Sequence, residues 1–175
     1  PEDYLGGANP LLPSSAYGLG KSAAEHMCCL YRDKYDLQTV IARCFAFVGR
    51  DLPLTAHYAM GNFINDALYG AEINVEGDGT PLRSYMNQSD LAQWLLCILD
   101  KGVAGHAYNV GSDKAILLSD LAYLVRDTLS PHKKVVFNKA KSNFTGRNIY
   151  IPDISKAKKD LNLFVTVSLQ ESLGQ

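Results

Sequence analysis

The sequence contains no long apolar run. Its most apolar stretches, around Val40–Val48 and Leu91–Leu99, are broken by Arg43, Gln93 and Cys97, far short of the ~20 consecutive apolar residues of a membrane span. It opens Pro1-Glu2-Asp3-Tyr4, with neither a basic start nor an apolar signal core, so no export signal is read and a cytoplasmic setting is expected. An excess of one charge is lacking too: 17 Lys and Arg stand against 18 Asp and Glu, a formal net charge of -1. That balance argues against a nucleic-acid partner and against a polybasic membrane anchor. Cysteine is scarce. Cys28, Cys29, Cys44 and Cys97 include no C-x-x-C pair, and the side chains of adjacent helix residues such as Cys28 and Cys29 diverge. His26, His57, His106 and His132 are scattered, so no metal site is expected and the cysteines read as free thiols in a reducing compartment. Internal repeats and low-complexity tracts are absent.

What is present is a globular composition: 47% hydrophobic and 20% charged residues in a chain of 175, enough for one domain, or one domain with a small appendage. Residues 1–14 hold Gly6, Gly7, Pro10 and Pro13 and read as loop. Ser14 or Ser15 can cap a helix over about 16–31, with Leu19, Ala23, Met27 and Leu30 on its apolar side. Residues 37–47, almost continuously apolar except for Arg43, predict a strand covered on both faces, as in a parallel sheet. A helix over 58–69 follows, stopped by Gly70. Ile73–Val75 and Leu82–Met86 then read as two strands around a glycine turn. Ser89 begins a third helix, closed by Gly102, with Asp90 supporting its start. The strand Ala107–Val110 precedes a fourth helix capped by Ser119 and reaching about Leu129. A strand at Val135–Phe137, a basic loop and a last helix near Ser155–Leu161 complete the reading. Helix-then-buried-strand order indicates an α/β architecture. Such domains ordinarily begin with a strand, a glycine turn and a helix, so the chain reads as the back part of a longer protein.

The densest chemistry lies in Ser14-Ser15-Ala16-Tyr17-Gly18-Leu19-Gly20-Lys21-Ser22-Ala23. Gly20-Lys21-Ser22 ends like a phosphate-binding P-loop, but Ser15 stands where the motif needs glycine and no strand precedes it. Gly18-x-Gly20-x-x-Ala23 matches the dinucleotide fingerprint formally and fails for want of the same strand. The third reading is Tyr17-x-x-x-Lys21, a spacing that stacks both side chains on one helix face. An ammonium beside a phenol favours the phenolate, which can take a proton from a sugar hydroxyl while hydride leaves the same carbon. With 10 tyrosines in the chain, the spacing alone is close to a chance event.

Its context is more specific. Asn9-Pro10…Pro13…Tyr17-Gly-x-Gly-Lys21-Ser-x-x-Glu25 resembles the catalytic helix of the extended short-chain dehydrogenase/reductases, which include nucleotide-sugar epimerases and 4,6-dehydratases. Further segments follow in that family's order: Ile41-Ala-Arg43…Gly49, Asn62-Phe-Ile64, Ile73…Gly77-Asp-Gly79…Arg83…Asp90, Asn109-Val-Gly111, and Arg147…Asp153-Ile-Ser-Lys-Ala157. The resemblance implies the C-terminal part of a Rossmann-type parallel sheet plus a small α/β substrate-binding lobe. Residues 1–57 would carry the catalytic helix and buried strand. Residues 58–175 would form mainly the lobe, with Rossmann elements returning near 88–112. It further implies an NAD- or NADP-dependent epimerase or dehydratase acting on a dTDP-, UDP- or CDP-linked hexose by transient hydride transfer at C4, commonly as a homodimer. Tyr17 would be the catalytic base. Lys21 would bind the nicotinamide ribose and support that base, so both residues would touch the cofactor. Asn62, Arg83 and Arg147 would bind the substrate, Arg83 through its planar guanidinium fork. The family's N-terminal glycine fingerprint and upstream Ser/Thr have no counterpart in these 175 residues, so the chain by itself is expected to be inactive. The alternative is a non-catalytic nucleotide-sugar-binding or assembly module of the same descent. Phe45 and Phe47, where the family often has asparagines, leave the identity of the sugar open.

Overall fold

The computed structural model describes residues 1–4, 6–54, 58–138 and 148–174. The chain divides into two compact units that interleave along the sequence: residues 1–44, 93–110 and 153–163 form the first, and 45–92, 111–152 and 164–175 the second.

The first unit opens with a short 3-10 turn, Pro13–Ser15, that runs straight into helix α1, Ala16–Tyr35. Ser15 is the N-cap residue but its side chain makes no capping bond, which corrects the expected serine cap. Proline at the start of the turn presets a helical φ, so winding begins before either serine could act. The helix runs past the expected end at Tyr31, and Asp36 stops it in the left-handed conformation (φ 54°). Arg32 and Lys34 in its last turn favour the dipole there. None of its side chains is buried; Met27 and Leu30 of the expected apolar side are each 48% exposed.

Strand β1, Ile41–Cys44, lies parallel to β6, Ala107–Val110, with Ile41 opposite Ala107 and Arg43 opposite Asn109. Helix α3, Gln88–Lys101, enters this unit from the second one. Helix α5, Ser155–Leu161, packs on β6. Trp94, Ile98, Tyr108, Val110, Ile154 and Ala157 are the buried apolar side chains here. Tyr108 keeps its polar end satisfied, its hydroxyl accepting from the Val103 N–H at 3.2 Å.

In the second unit, β2 (Phe47–Val48) pairs in parallel with β5 (Met86–Asn87), and β3 (Ile73–Glu76) in parallel with β8 (Val135–Asn138). Strand β4, Leu82–Arg83, runs antiparallel to β7, Ile116–Leu117, and parallel to β9, Ile149–Tyr150. Helix α2, Ala59–Tyr69, packs on α4, Leu118–Leu129, and on β3. A short helix, α6 (Leu169–Leu173), closes over α4 behind a capping box of Ser168 and Glu171. Met60, Phe63 and Ala67 of α2, Ile73 and Val75 of β3, and Leu121, Ala122 and Val125 of α4 form the core.

Three expectations change. The single strand predicted over 37–47 is two strands in two sheets. After Cys44 the Phe45 ring stacks on Tyr150 at 4.8 Å, and the Ala46 carbonyl accepts from Met86 at 3.0 Å, so the chain leaves β6 and joins β5. The single strand expected over Leu82–Met86 is also two, because Leu82–Arg83 pairs with β7 and β9 whereas Met86–Asn87 pairs with β2. Helix α4 begins at Leu118 rather than behind a Ser119 cap; the Ser119 N–H is already bonded to the Gly79 carbonyl at 3.0 Å.

Candidate functional site

Tyr17 and Lys21 occupy the first two turns of α1. Their four-residue spacing brings them together as expected: the Lys21 ammonium lies 5.5 Å from the centroid of the Tyr17 ring. The tyrosine is 78% exposed, open to a ligand. Gly18 and Gly20 lie inside the same helix and not in a turn between strand and helix, which excludes both phosphate-loop readings at this position.

One further turn along α1, Glu25 is gripped from β1. Arg43 Nε donates to Glu25 Oε1 at 2.8 Å and Nη2 to Oε2 at 2.7 Å, a two-pronged pair. The remaining arm, Nη1, donates to the Glu2 carbonyl at 2.7 Å. The Glu2 side chain in turn accepts from the Asn109 N–H at 2.9 Å, and Asn109 Nδ2 donates to the Asp153 carbonyl at 2.9 Å. The guanidinium bonds hold the Glu25 carboxyl below its ordinary range, and the same bonds raise Arg43. Next to Arg43, burial pushes the Cys44 thiol up, which disfavours a thiolate nucleophile. The Arg43–Glu25 pair was not anticipated. The available signal was one charge inside an apolar strand, which requires a partner when half-buried.

Asn62 and Arg83 belong to the second unit. Asn62 is exposed in the first turn of α2. Arg83, in β4, is half-buried, and its Nη1 donates to the carbonyls of Leu82 at 2.8 Å and Asn148 at 3.4 Å. Arg147 falls outside the described residues. Near Arg83, burial raises the Tyr85 phenol to about 12, so that hydroxyl keeps its proton and is a poor base. Among the described residues no group of three or more His, Cys, Asp or Glu is placed to hold a metal ion, and no helix is long and apolar enough to cross a membrane.

Parallel ladders with helices packed on them define an α/β class of protein, and comparison with known proteins makes the family specific. Residues 2–111 match the model of the NAD dependent epimerase/dehydratase family. The chain belongs to that family. UDP-glucuronic acid decarboxylase 1 of Danio rerio is 29% identical over 174 residues, covering 99% of this chain and 41% of the relative. UDP-glucuronic acid decarboxylase 3 of Arabidopsis thaliana is 31% identical over 175 residues, covering 99% and 50%. Among solved structures, the UDP-glucuronic acid 4-epimerase of Bacillus cereus in complex with NAD aligns with a TM-score of 0.77 and 26% identity over 95% of this chain and 50% of that one. The UDP-glucose 4-epimerase of Thermotoga maritima, at 24% identity and a TM-score of 0.82, supports the fold over 90% of this chain and 50% of its own. The chain thus spans between about two-fifths and half the length of these relatives.

Proposed function

We propose that these residues belong to an enzyme that uses NAD or NADP to transform a nucleotide-linked sugar, oxidising it transiently at C4. The observation that carries the reading is the Tyr17–Lys21 pair on the open face of α1. An exposed phenol one helical turn from an ammonium suits the ribose and the reacting hydroxyl in its chemistry. When bound, the nicotinamide supplies the hydride acceptor. The Tyr17 oxygen takes the proton of the sugar's 4-hydroxyl, and the Lys21 ammonium stabilises the charge left on that oxygen. Arg83, Asn62 and Arg147 bind the diphosphate end of the substrate, where a guanidinium fork pairs well with phosphate oxygens. Relatives named for UDP-glucuronic acid favour a UDP-linked sugar over its dTDP and CDP counterparts. In this reading the working enzyme is a cytoplasmic homodimer, and the 175 residues alone do not turn over substrate.

Tyr17→Phe in the full-length enzyme tests this. Only the phenolic oxygen is removed, so hydride chemistry is lost while calorimetry still registers nucleotide-sugar binding. Wild-type turnover by that variant overturns the assignment.

A further inference from the structure

We infer that Arg43 is a positioning residue: by occupying both carboxylate oxygens of Glu25, it withholds that acid from Lys21 and leaves the ammonium to Tyr17. The inference rests on the reading of Tyr17 and Lys21 as proton acceptor and electrostatic partner. Tyr17, Lys21 and Glu25 follow one another at four-residue steps along α1, so Lys21 has a side-chain neighbour one turn away on either side. One neighbour is a neutral phenol ring and the other a carboxylate. A full negative charge attracts an ammonium more strongly than the face of a ring does, so an unoccupied Glu25 would win. The structure has the opposite outcome. Lys21 lies over the Tyr17 ring and forms no ion pair among the described residues. Glu25 meanwhile has each oxygen bonded to Arg43, at 2.8 and 2.7 Å.

Arg43 is held for this task independently of Glu25. Its backbone is paired in β1 opposite Asn109, and its third arm is bonded to the Glu2 carbonyl. Lysine could not substitute, because a point charge does not fill both carboxylate oxygens in one plane.

The test uses the full-length enzyme with Arg43→Ala, Glu25→Gln and the double variant, each checked by thermal melting. Arg43→Ala should lower kcat by about tenfold or more, on the order of 1.4 kcal/mol in the barrier, with the nucleotide-sugar KM within about twofold. Its crystal structure should show Lys21 Nζ within ~4 Å of a Glu25 oxygen. Glu25→Gln alone removes the competitor and should stay within about threefold of the parent in kcat. The double variant should regain most of the rate lost by Arg43→Ala although it keeps the same missing arginine. A purely structural role predicts a double variant no more active than Arg43→Ala, and that result, or Lys21 still lying over Tyr17 in the Arg43→Ala crystal, overturns the inference. Should Arg43→Ala fail to fold, a Glu25→Gln rate more than about tenfold below the parent overturns it, and retention of the rate supports it. Tyr17→Phe, run alongside, separates the two levels. Its activity would refute the catalytic reading itself, whereas its inactivity beside an unimpaired Arg43→Ala refutes only the role of Arg43.

Discussion

Asp90 is the most deeply enclosed charged residue among those described, 1% exposed at the start of α3, and its replacement should be felt well away from its own helix. Its carboxylate accepts from the backbone N–H groups of Thr166 and Val167 at 2.9 and 3.1 Å and from the Thr166 hydroxyl. Three donors from the segment leading into α6 therefore end on one side chain of α3. Hydrogen bonds to a charged acceptor contribute roughly 1.5–3 kcal/mol each, but not additively when they share a group. Asp90→Ala removes the shared acceptor and leaves the Thr166 and Val167 N–H groups without it. Thr166 is exposed, so part of the loss is recovered by water. The net cost should be about 2–3 kcal/mol, or about 4–12 °C in melting temperature for a chain of this size. Urea denaturation measures the first quantity. Hydrogen exchange adds the location: amides of residues 166–173 should lose protection before those of β3 and β8. A variant within about 0.5 kcal/mol of the parent, with unchanged exchange over 166–173, would refute the reasoning.

Two other outcomes follow from local geometry. Gly79 has φ +76°, and a Cβ there would meet the Phe137 ring at 2.8 Å and Ser119 Cβ at 2.9 Å, so Gly79→Ala should destabilise by about 1–3 kcal/mol; an unchanged denaturation midpoint would contradict the packing of that turn. The Glu25 carboxyl is held below its ordinary range by Arg43, so its ion pair stabilises above the usual carboxylate pKa of about 4.3 and is lost as pH falls through the lowered folded value. The stability gap between the parent and Glu25→Gln should therefore narrow as melts are taken from pH 6 towards pH 3; a gap constant across that range would show that the pair contributes nothing through its charge.

Local signals carried much of the fold and less of its wiring. Strand β6 at Ala107–Val110 and helix α5 at Ser155–Leu161 have the bounds expected from alternation, periodicity and breakers. Helix α2 differs by one residue at its start, because Gly70 is an unambiguous stop. Strand partners were not legible. Ile73–Glu76 lies beside Val135–Asn138 and not beside its chain neighbour, since alternation says which face is buried and nothing about which edge is shared. The division between β1 and β2 was hidden for a related reason: a continuously apolar run fits one sheet or two equally well. Helix α6 was missed although Ser168-Leu-Gln-Glu171 spells its capping box; its five residues are too few for periodicity to register. At the site, the Tyr17–Lys21 contact was readable because it is local to one helix. The Glu25–Arg43 grip was not, because it joins residues on different elements through a pairing that only the folded chain specifies.

The interleaving of the two units bears on how the chain is made. Ile41 must wait for Ala107, and Ile73 for Val135, before either parallel ladder can close. A ribosome delivers residues in order at roughly 5–20 per second, so the β1 edge that pairs with β6 and the β3 edge that pairs with β8 wait several seconds of synthesis for those strands. Pairing of this kind is slow and exposed to aggregation. Heterologous yield should therefore depend on translation speed and on holdase chaperones more than on the stability of the finished fold.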